Sequence, residues 1–568
     1  MPPTANEDRR RGGPWTALFL LWLLGFTLML SVDPAADPPL GPSALEGQLL
    51  LHARAAVDSS VPTGVWNPGL ISPTQMQATE WAFRLFDVSL ASARMVTTVA
   101  AILAVSLFFG LVRRMAGPRV ALLAAVLLTM NPIFFAVCRT ALPAVFSIFG
   151  MLAVIRLWLW SDRSVLAAFL SGAGLVWVSL AENGPDNAFF LGAGILAAVL
   201  VRLHAWKMPW LAVTRRRLGA FWAGAGVALA GFVIQMLRRW DEFGATWSHF
   251  KSFDLHLVAV NTVMAPLYLS KLIQRMPIIS GLALVFFLFF AKETVGPVAR
   301  HRRMDETRLW FLGWIIVGTG YFTLTAAPPL NALVLLVPPM CFLAAKCLSN
   351  LLWLRKFSRP RMDVMIVSLL LAGSAWFGSA WLVHAFYGRL GWTGFWEEHV
   401  IRGTLLLVIL LWLLVSALLI TAYLKWKHFT IQLRPLPTVV VTVVLLGGIL
   451  GLGGHRLYEW WIHRTYDVRD TKDALGAVLD HDALVVGSWA PLVTLGTAAR
   501  GTLVWPGVND HGQPWIEEVT HLLLAEGNEH REDTPPLSTF RDLGRSIERV
   551  PPVTRVGSAR LHLYRLER

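Results

Sequence analysis

Residues 117–153 read GPRVALLAAVLLTMNPIFFAVCRTALPAVFSIFGMLA. Two apolar runs, about 120–138 and 141–160, flank the single cation Arg139. Each run has roughly the 20 residues needed to cross a bilayer. A short turn joining two such runs describes consecutive membrane spans, not two soluble helices. The rest of the 568-residue chain repeats the pattern: 55% of residues are hydrophobic and only 15% charged, against roughly 25% charged in soluble domains. Mean hydropathy is +0.55.

Apolar runs fall at about 15–31, 92–112, 120–138, 141–160, 165–181, 187–201, 219–237, 277–291, 309–326, 331–350, 364–384, 403–424 and 437–454, roughly thirteen spans. The expected fold class is therefore an all-α polytopic membrane protein. The formal charge of +14 comes from cations clustered between spans. With residues 1–14 cytoplasmic, alternate loops hold Arg113 and Arg114, then Arg163, then Arg215, Arg216 and Arg217, then Arg302 and Arg303, then Arg355 and Lys356, then Lys425 and Lys427. Basic loops stay inside; the outer loop 238–276 is the exception, with Arg238, Arg239, Lys251, Lys271 and Arg275 partly offset by Asp241, Glu242 and Asp254. This alternation predicts a multi-pass plasma-membrane protein with its N-terminus cytoplasmic and its C-terminus extracytoplasmic. No separate basic domain exists to carry nucleic acid. Cys138, Cys341 and Cys347 are too few for a disulfide framework. No His/Asp/Glu spacing argues for a metal, and no nucleotide-binding glycine loop is present.

The domain reading is a transmembrane body over 15–454, with a first outer loop over 32–91, and a tail over 455–568 that forms a small extracytoplasmic α/β domain. In the tail, DALVVGS (482–488), GTLVWPG (501–507) and ARLHLYRLE (559–567) read as strands. WIEEVTHLLLAEG (515–527) reads as a helix, with Ile516, Val519, Leu522 and Leu523 on one face. In the first outer loop, PSALEGQLLLHARAAV (42–57) reads as a helix. TQMQATEWAFRLFDVSL (74–90) reads as an amphipathic helix lying in the membrane interface.

Glu46 has two readings. A carboxylate at the outer interface can take the proton of an acceptor hydroxyl as a group is transferred to it. Ser43 and Glu46 also have the spacing of a capping box, which spacing alone favours. Candidate cations for a lipid phosphate are Arg139, the pair Arg238 and Arg239, and Lys271 and Arg275. Arginine binds phosphate oxygens bidentately and lysine acts as a point charge. Each of these could equally snorkel to lipid headgroups. Glu397 and Glu398 beside Trp396 could touch a substrate, while His249 and His256 form no convincing metal pair.

These segments resemble the C-type integral-membrane glycosyltransferases, closest to the branch of protein O-mannosyltransferases and the lipid A aminoarabinose transferase. ALEGQLLLHAR (44–54) is similar to the branch's acidic first-loop motif. NPGLISPTQMQATEWAFRLFDVSLASARMVTTVAAIL (67–103) resembles its interfacial helix and following span. The segment 117–153 matches most clearly, at Asn131, Pro132 and Arg139. LTAAPPLNALVLLVPPMCFLAA (324–345) resembles the late proline turn, and DALVVGSWAPLVTLGTAARGTLVWPG (482–507) the tail domain.

The resemblance implies transfer of a sugar from a polyprenyl-phosphate donor to a lipid, glycan or protein acceptor on the outer face. No cofactor is implied, and any divalent-metal requirement is left open. Glu46 matches the motif's second acidic position, whereas the leading acidic position is Leu45. Leu142, Pro143 and Ala144 stand where an acidic residue is expected after Arg139. The lysine and arginine-tyrosine of the late turn are absent around Pro328, Pro329 and Asn331. Two other readings follow from these departures and from the hydropathy: a non-catalytic relative that binds a lipid-linked sugar or a partner, and a transporter. Against transport, the charges within spans (Arg94, Arg156 and Lys346) lie near span ends.

Overall fold

The computed structural model describes residues 5–39, 41–61, 72–180, 187–205, 211–238, 276, 278–283, 286–287, 290, 306–324, 330–352, 435–503, 517–525, 546–557 and 559–567. They are predominantly helical. Among them, three helices are long and apolar enough to cross a membrane: Gly13–Ser31, Leu90–Ala116 and Arg215–Gln235. Ala144–Trp160, Val165–Leu180 and Ala188–Leu203 are apolar but shorter. The expected spans at 364–384 and 403–424 lie outside the described residues.

The expected span at 120–138 consists of two helices, Pro118–Thr129 and Pro132–Cys138, which are long and apolar enough to cross a membrane only together. The break follows from Asn131–Pro132. Proline disfavours helical backbone in the residue before it and is accommodated at the first turn of a new helix.

The chain forms two compact units. The first comprises residues 1–111, 132–252 and 455–568; the second comprises 112–131 and 253–454. In the first unit, α1 (Ala5–Ser31) leads to α2 (Ala44–Val57), α3 (Pro73–Leu85) and α4 (Leu90–Ala116). After α5 (Pro118–Thr129) and α6 (Pro132–Cys138) come α7 (Ala144–Trp160), α8 (Val165–Leu180), α9 (Ala188–Ala205) and α10 (Leu211–Arg238).

α8 and α10 touch backbone to backbone. A Cβ at Gly172 would lie 1.9 Å from the Phe221 carbonyl oxygen, and one at Gly224 would lie 2.0 Å from that of Phe169. Small residues permit this approach where lipid offers no hydrophobic drive between helices. Arg217 secures the end of α10: its Nη1 meets Asp162 at 2.7 Å and its Nε donates to Ser161 Oγ at 2.7 Å.

In the second unit, α5 packs along α12 (Val337–Leu352). Trp314 on α11 (Glu306–Leu324) donates its indole N–H to the Leu335 carbonyl at 2.9 Å. α13 (Pro435–Ile462) leads into the tail.

The tail holds α14 (Asp467–Gly476), α15 (Ala490–Val493) and strands β1 (Leu484–Val486), β2 (Arg500–Thr502), β3 (His521–Ala525), β4 (Ser546–Val556) and β5 (Ala559–Glu567). They form a five-stranded sheet in the order β2-β1-β3-β5-β4. β1 runs parallel to β2 and β3, and the β3–β5 and β5–β4 pairs are antiparallel. A register shift falls between Val550 and Thr554, where Pro551 and Pro552 sit on an edge strand. Proline is tolerated there because its missing N–H faces no partner.

The strand readings at 482–488 and 559–567 match β1 and β5, and β2 begins one residue before 501–507. The helix expected at 515–527 is corrected: His521–Ala525 is a strand, and all five of its residues are buried. Both faces of the sheet are covered. Leu523 joins one core with Val468, Leu475 and Leu563, and Leu522 and Leu524 join the other with Leu484 and Val486. A strand buried on both faces reads as a continuous apolar run, so its helical periodicity was incidental. β4 and α14 carried no signal that we read from the sequence.

Candidate active site

Ser43 sits in extended backbone at the start of α2, but its side chain caps nothing. The Ser43–Glu46 capping box is therefore corrected: Glu46 turns inward instead. Its Oε1 accepts from Arg94 Nε at 2.8 Å and from the Ala141 backbone N–H at 2.7 Å. Its Oε2 accepts from Arg94 Nη2 at 2.9 Å. Glu46 is 0% exposed and Arg94 1%. The remaining nitrogen of Arg94, Nη1, donates to the carbonyls of Pro34 at 3.0 Å and Ala36 at 2.8 Å. A buried charge pair whose other valences are hydrogen-bonded is the form such a pair must take to be tolerated. Leu45, the neighbouring residue on α2, is partly exposed.

Ala141 is gripped from both sides. Its N–H goes to Glu46, and its carbonyl accepts from Gln75 Nε2 on α3. Two residues earlier, Arg139 is 2% exposed. Its Nη1 donates to the carbonyls of Leu30 and Val32 at 3.0 Å each, with a longer contact of 3.3 Å to Met29. Its Nη2 donates to the Asp33 carbonyl at 2.6 Å. The guanidinium lies 4.5 Å from the Trp460 ring centroid, a favourable cation–π arrangement. The turn at 139–141 thus brings Glu46 and Arg139 into one neighbourhood, each committed to other partners. Arg238 lies in the last turn of α10 and is exposed. Arg239, Lys271, Arg275, Glu397, Glu398, His249 and His256 lie outside the described residues.

A second polar cluster adjoins the first. Asp37 Oδ2 accepts from Thr465 Oγ1 at 2.9 Å and from the Asp467 backbone N–H at 2.8 Å. Its carbonyl accepts from Trp460 Nε1 at 2.8 Å. Burial pushes the Asp37 carboxyl above its usual range. Tyr466 donates its hydroxyl to Asp33 Oδ2, and that bond pushes the Tyr466 pKa up. Further along α2, Arg54 donates to the carbonyls of Thr494 at 2.9 Å, Thr497 at 3.2 Å and Ala499 at 3.0 Å. At Gly47 a Cβ would lie 2.4 Å from the Leu492 backbone nitrogen, so α2 rests directly on α15.

Sequence reasoning missed the partners Arg94, Asp33, Asp37 and Tyr466. One signal was present: an arginine at the start of an apolar helix requires a counter-charge. Among the described residues, no group of three or more His, Cys, Asp or Glu is placed to hold a metal ion.

No family model and no curated protein matches the chain. Solved structures do. ArnT from Cupriavidus metallidurans, crystallised bound to undecaprenyl phosphate, superimposes with a TM-score of 0.55 at 14% identity, covering 97% of this chain and 98% of ArnT. The apo crystal structure of the same enzyme gives the same values. The archaeal oligosaccharyltransferase AglB from Archaeoglobus fulgidus, in complex with an inhibitory peptide and a dolichol-phosphate, gives 0.42 at 11%, over 88% of this chain and 69% of AglB. The fold of the chain is that of ArnT. The likeness extends over nearly the whole chain.

Proposed function

We propose that the chain is a membrane glycosyltransferase that moves a sugar from a polyprenyl-phosphate donor to an acceptor at the outer face of the plasma membrane. The observation that carries this reading is the ArnT-like fold over 97% of the chain, ArnT itself having been crystallised with undecaprenyl phosphate. A long polyprenyl tail contributes about 0.8 kcal/mol of membrane affinity per buried CH₂. The tail stays in the bilayer and the reaction takes place at the interface.

In this reading the chain crosses the membrane about thirteen times, its N-terminus is cytoplasmic, and residues 455–568 form an extracytoplasmic α/β domain. Glu46 is the general base. It takes the acceptor's proton as the new sugar–oxygen bond forms and the sugar–phosphate bond breaks, a direct displacement that inverts the anomeric centre. A carboxylate has about four lone-pair sites, and among the described residues the Oε2 of Glu46 accepts a single bond, from Arg94. Arg139, Arg238, Arg239, Lys271 and Arg275 hold the donor phosphate, with Arg139 exchanging backbone carbonyls for phosphate oxygens.

The test is release of polyprenyl phosphate from a polyprenyl-phosphate sugar by the reconstituted protein. Release by wild type and none by a folded Glu46→Gln variant is the expected result. Unchanged release by Glu46→Gln removes the base role.

Two features favour a second reading, that of a non-catalytic relative that binds the lipid-linked sugar: Leu45 stands at the leading acidic position, and Arg94 engages both oxygens of Glu46. Saturable binding of polyprenyl phosphate with no turnover under any acceptor would favour it.

A further inference from the structure

Helices α2 and α3 border a small, partly open cavity of about 10 Å³ lined by Leu49, Leu50, Ser72, Gln75, Met76 and Thr79. Two of these side chains end in buried polar atoms with no hydrogen-bond partner among the described residues, Gln75 Oε1 and Thr79 Oγ1. Gln75 is 4% exposed and Thr79 1%. They stand one turn apart on α3 and so share a face. The Gln75 amide is oriented independently of the cavity, because its Nε2 donates to the Ala141 carbonyl. Its Oε1 is therefore held as an acceptor that no described residue satisfies. Leaving such a group dry is costly.

The size and lining of the cavity define what can enter. The volume suits one water-sized oxygen and excludes a sugar ring. None of the lining side chains is charged, so an ion would lose its hydration with nothing to replace it. We propose that this cavity is a binding site for a single neutral hydroxyl oxygen, which donates to Gln75 Oε1 and pairs with the Thr79 hydroxyl. Water is the occupant of the substrate-free chain. A hydroxyl of a bound substrate presents the same chemistry at the same place. The occupant completes a hydrogen-bonded chain that runs from Thr79 through Gln75 to Ala141 and on to Glu46. It thereby stiffens the turn on which the carboxylate rests.

A density map of the full chain in lipid nanodiscs, at a resolution that shows other buried waters, is the direct test. A peak within hydrogen-bond distance of both atoms, with no substrate added, is expected and identifies water. A peak that appears only after addition of a polyprenyl-phosphate sugar supports the site with a substrate hydroxyl as its source. An empty cavity under both conditions, or one filled by the Met76 or Leu49 side chain, overturns the proposal. In parallel, Thr79→Val should melt below wild type while Thr79→Ser retains most of the wild-type midpoint. A Thr79→Val protein that melts at or above wild type overturns the proposal as well. If that variant does not accumulate, the wild-type and Thr79→Ser maps decide between the same outcomes.

Discussion

Arg94 and Glu46 meet through both oxygens of the carboxylate, at 2.8 Å and 2.9 Å, with neither residue more than 1% exposed. Removing one partner of such a pair leaves a buried charge uncompensated, which costs about 3–5 kcal/mol. Arg94→Ala should therefore lower the thermal midpoint in detergent far more than a surface substitution does. The double variant Glu46→Leu/Arg94→Met should recover most of that loss, since well-packed apolar replacements of a buried pair are often neutral or better. A double variant as unstable as Arg94→Ala alone would show that the lost stability comes from the carbonyls of Pro34 and Ala36.

The α8–α10 contact gives a sharper steric test. Gly172→Ala places a methyl 1.9 Å from a backbone carbonyl oxygen, and backbone cannot step aside cheaply. We expect a loss of roughly 1–3 kcal/mol, as for other overpacked sites. Gly226→Ala on α10 meets nothing within 4 Å. It should be neutral or stabilising by about 0.5–1 kcal/mol, because alanine is the better helix former. Thermal melting of the two variants side by side checks both.

Arg54 fastens α2 to the turn after α15. Its three carbonyl acceptors are served by a charged donor, and hydrogen bonds of that kind contribute about 1.5–3 kcal/mol each. Arg54→Ala should expose the 494–499 turn, which limited proteolysis would read as faster cleavage there. Arg54→Lys should give partial protection, since one ammonium cannot reproduce the planar fork.

His52, also on α2, titrates at about 4 because burial disfavours its charged form. Its folded pKa lies below the unfolded value of 6.5. The stability it contributes is therefore complete above about pH 6.5 and is lost as the pH falls toward about 4. The loss should reach the order of 3 kcal/mol. Melting curves from pH 7.5 to 4 should show this decline in wild type, and His52→Gln should lose that component.

The membrane class was legible because apolar runs long enough to span a bilayer leave few alternatives. The strands at Leu484–Val486 and Ala559–Glu567 were legible from local pattern. His521–Ala525 was not, since a short apolar run buried on both faces has no period to distinguish it from a helix. At the site, Glu46 stood out as a carboxylate at the outer interface, but local spacing proposed Ser43 as its partner. The real partner, Arg94, is 48 residues away, beyond the reach of any periodicity argument. Arg139 was legible as a cation in a turn. The carbonyls it serves were not, because every residue carries one.

Arg54 and Arg139, and Arg94 through its Nη1, anchor to main-chain oxygens, which persist whatever amino acid occupies the position. The segments that receive them, 29–36 and 494–499, can be respelled extensively while the moorings stay in place. An architecture tethered in this way can outlast recognisable likeness of letters, in keeping with a shared shape over 97% of the chain at 14% identity.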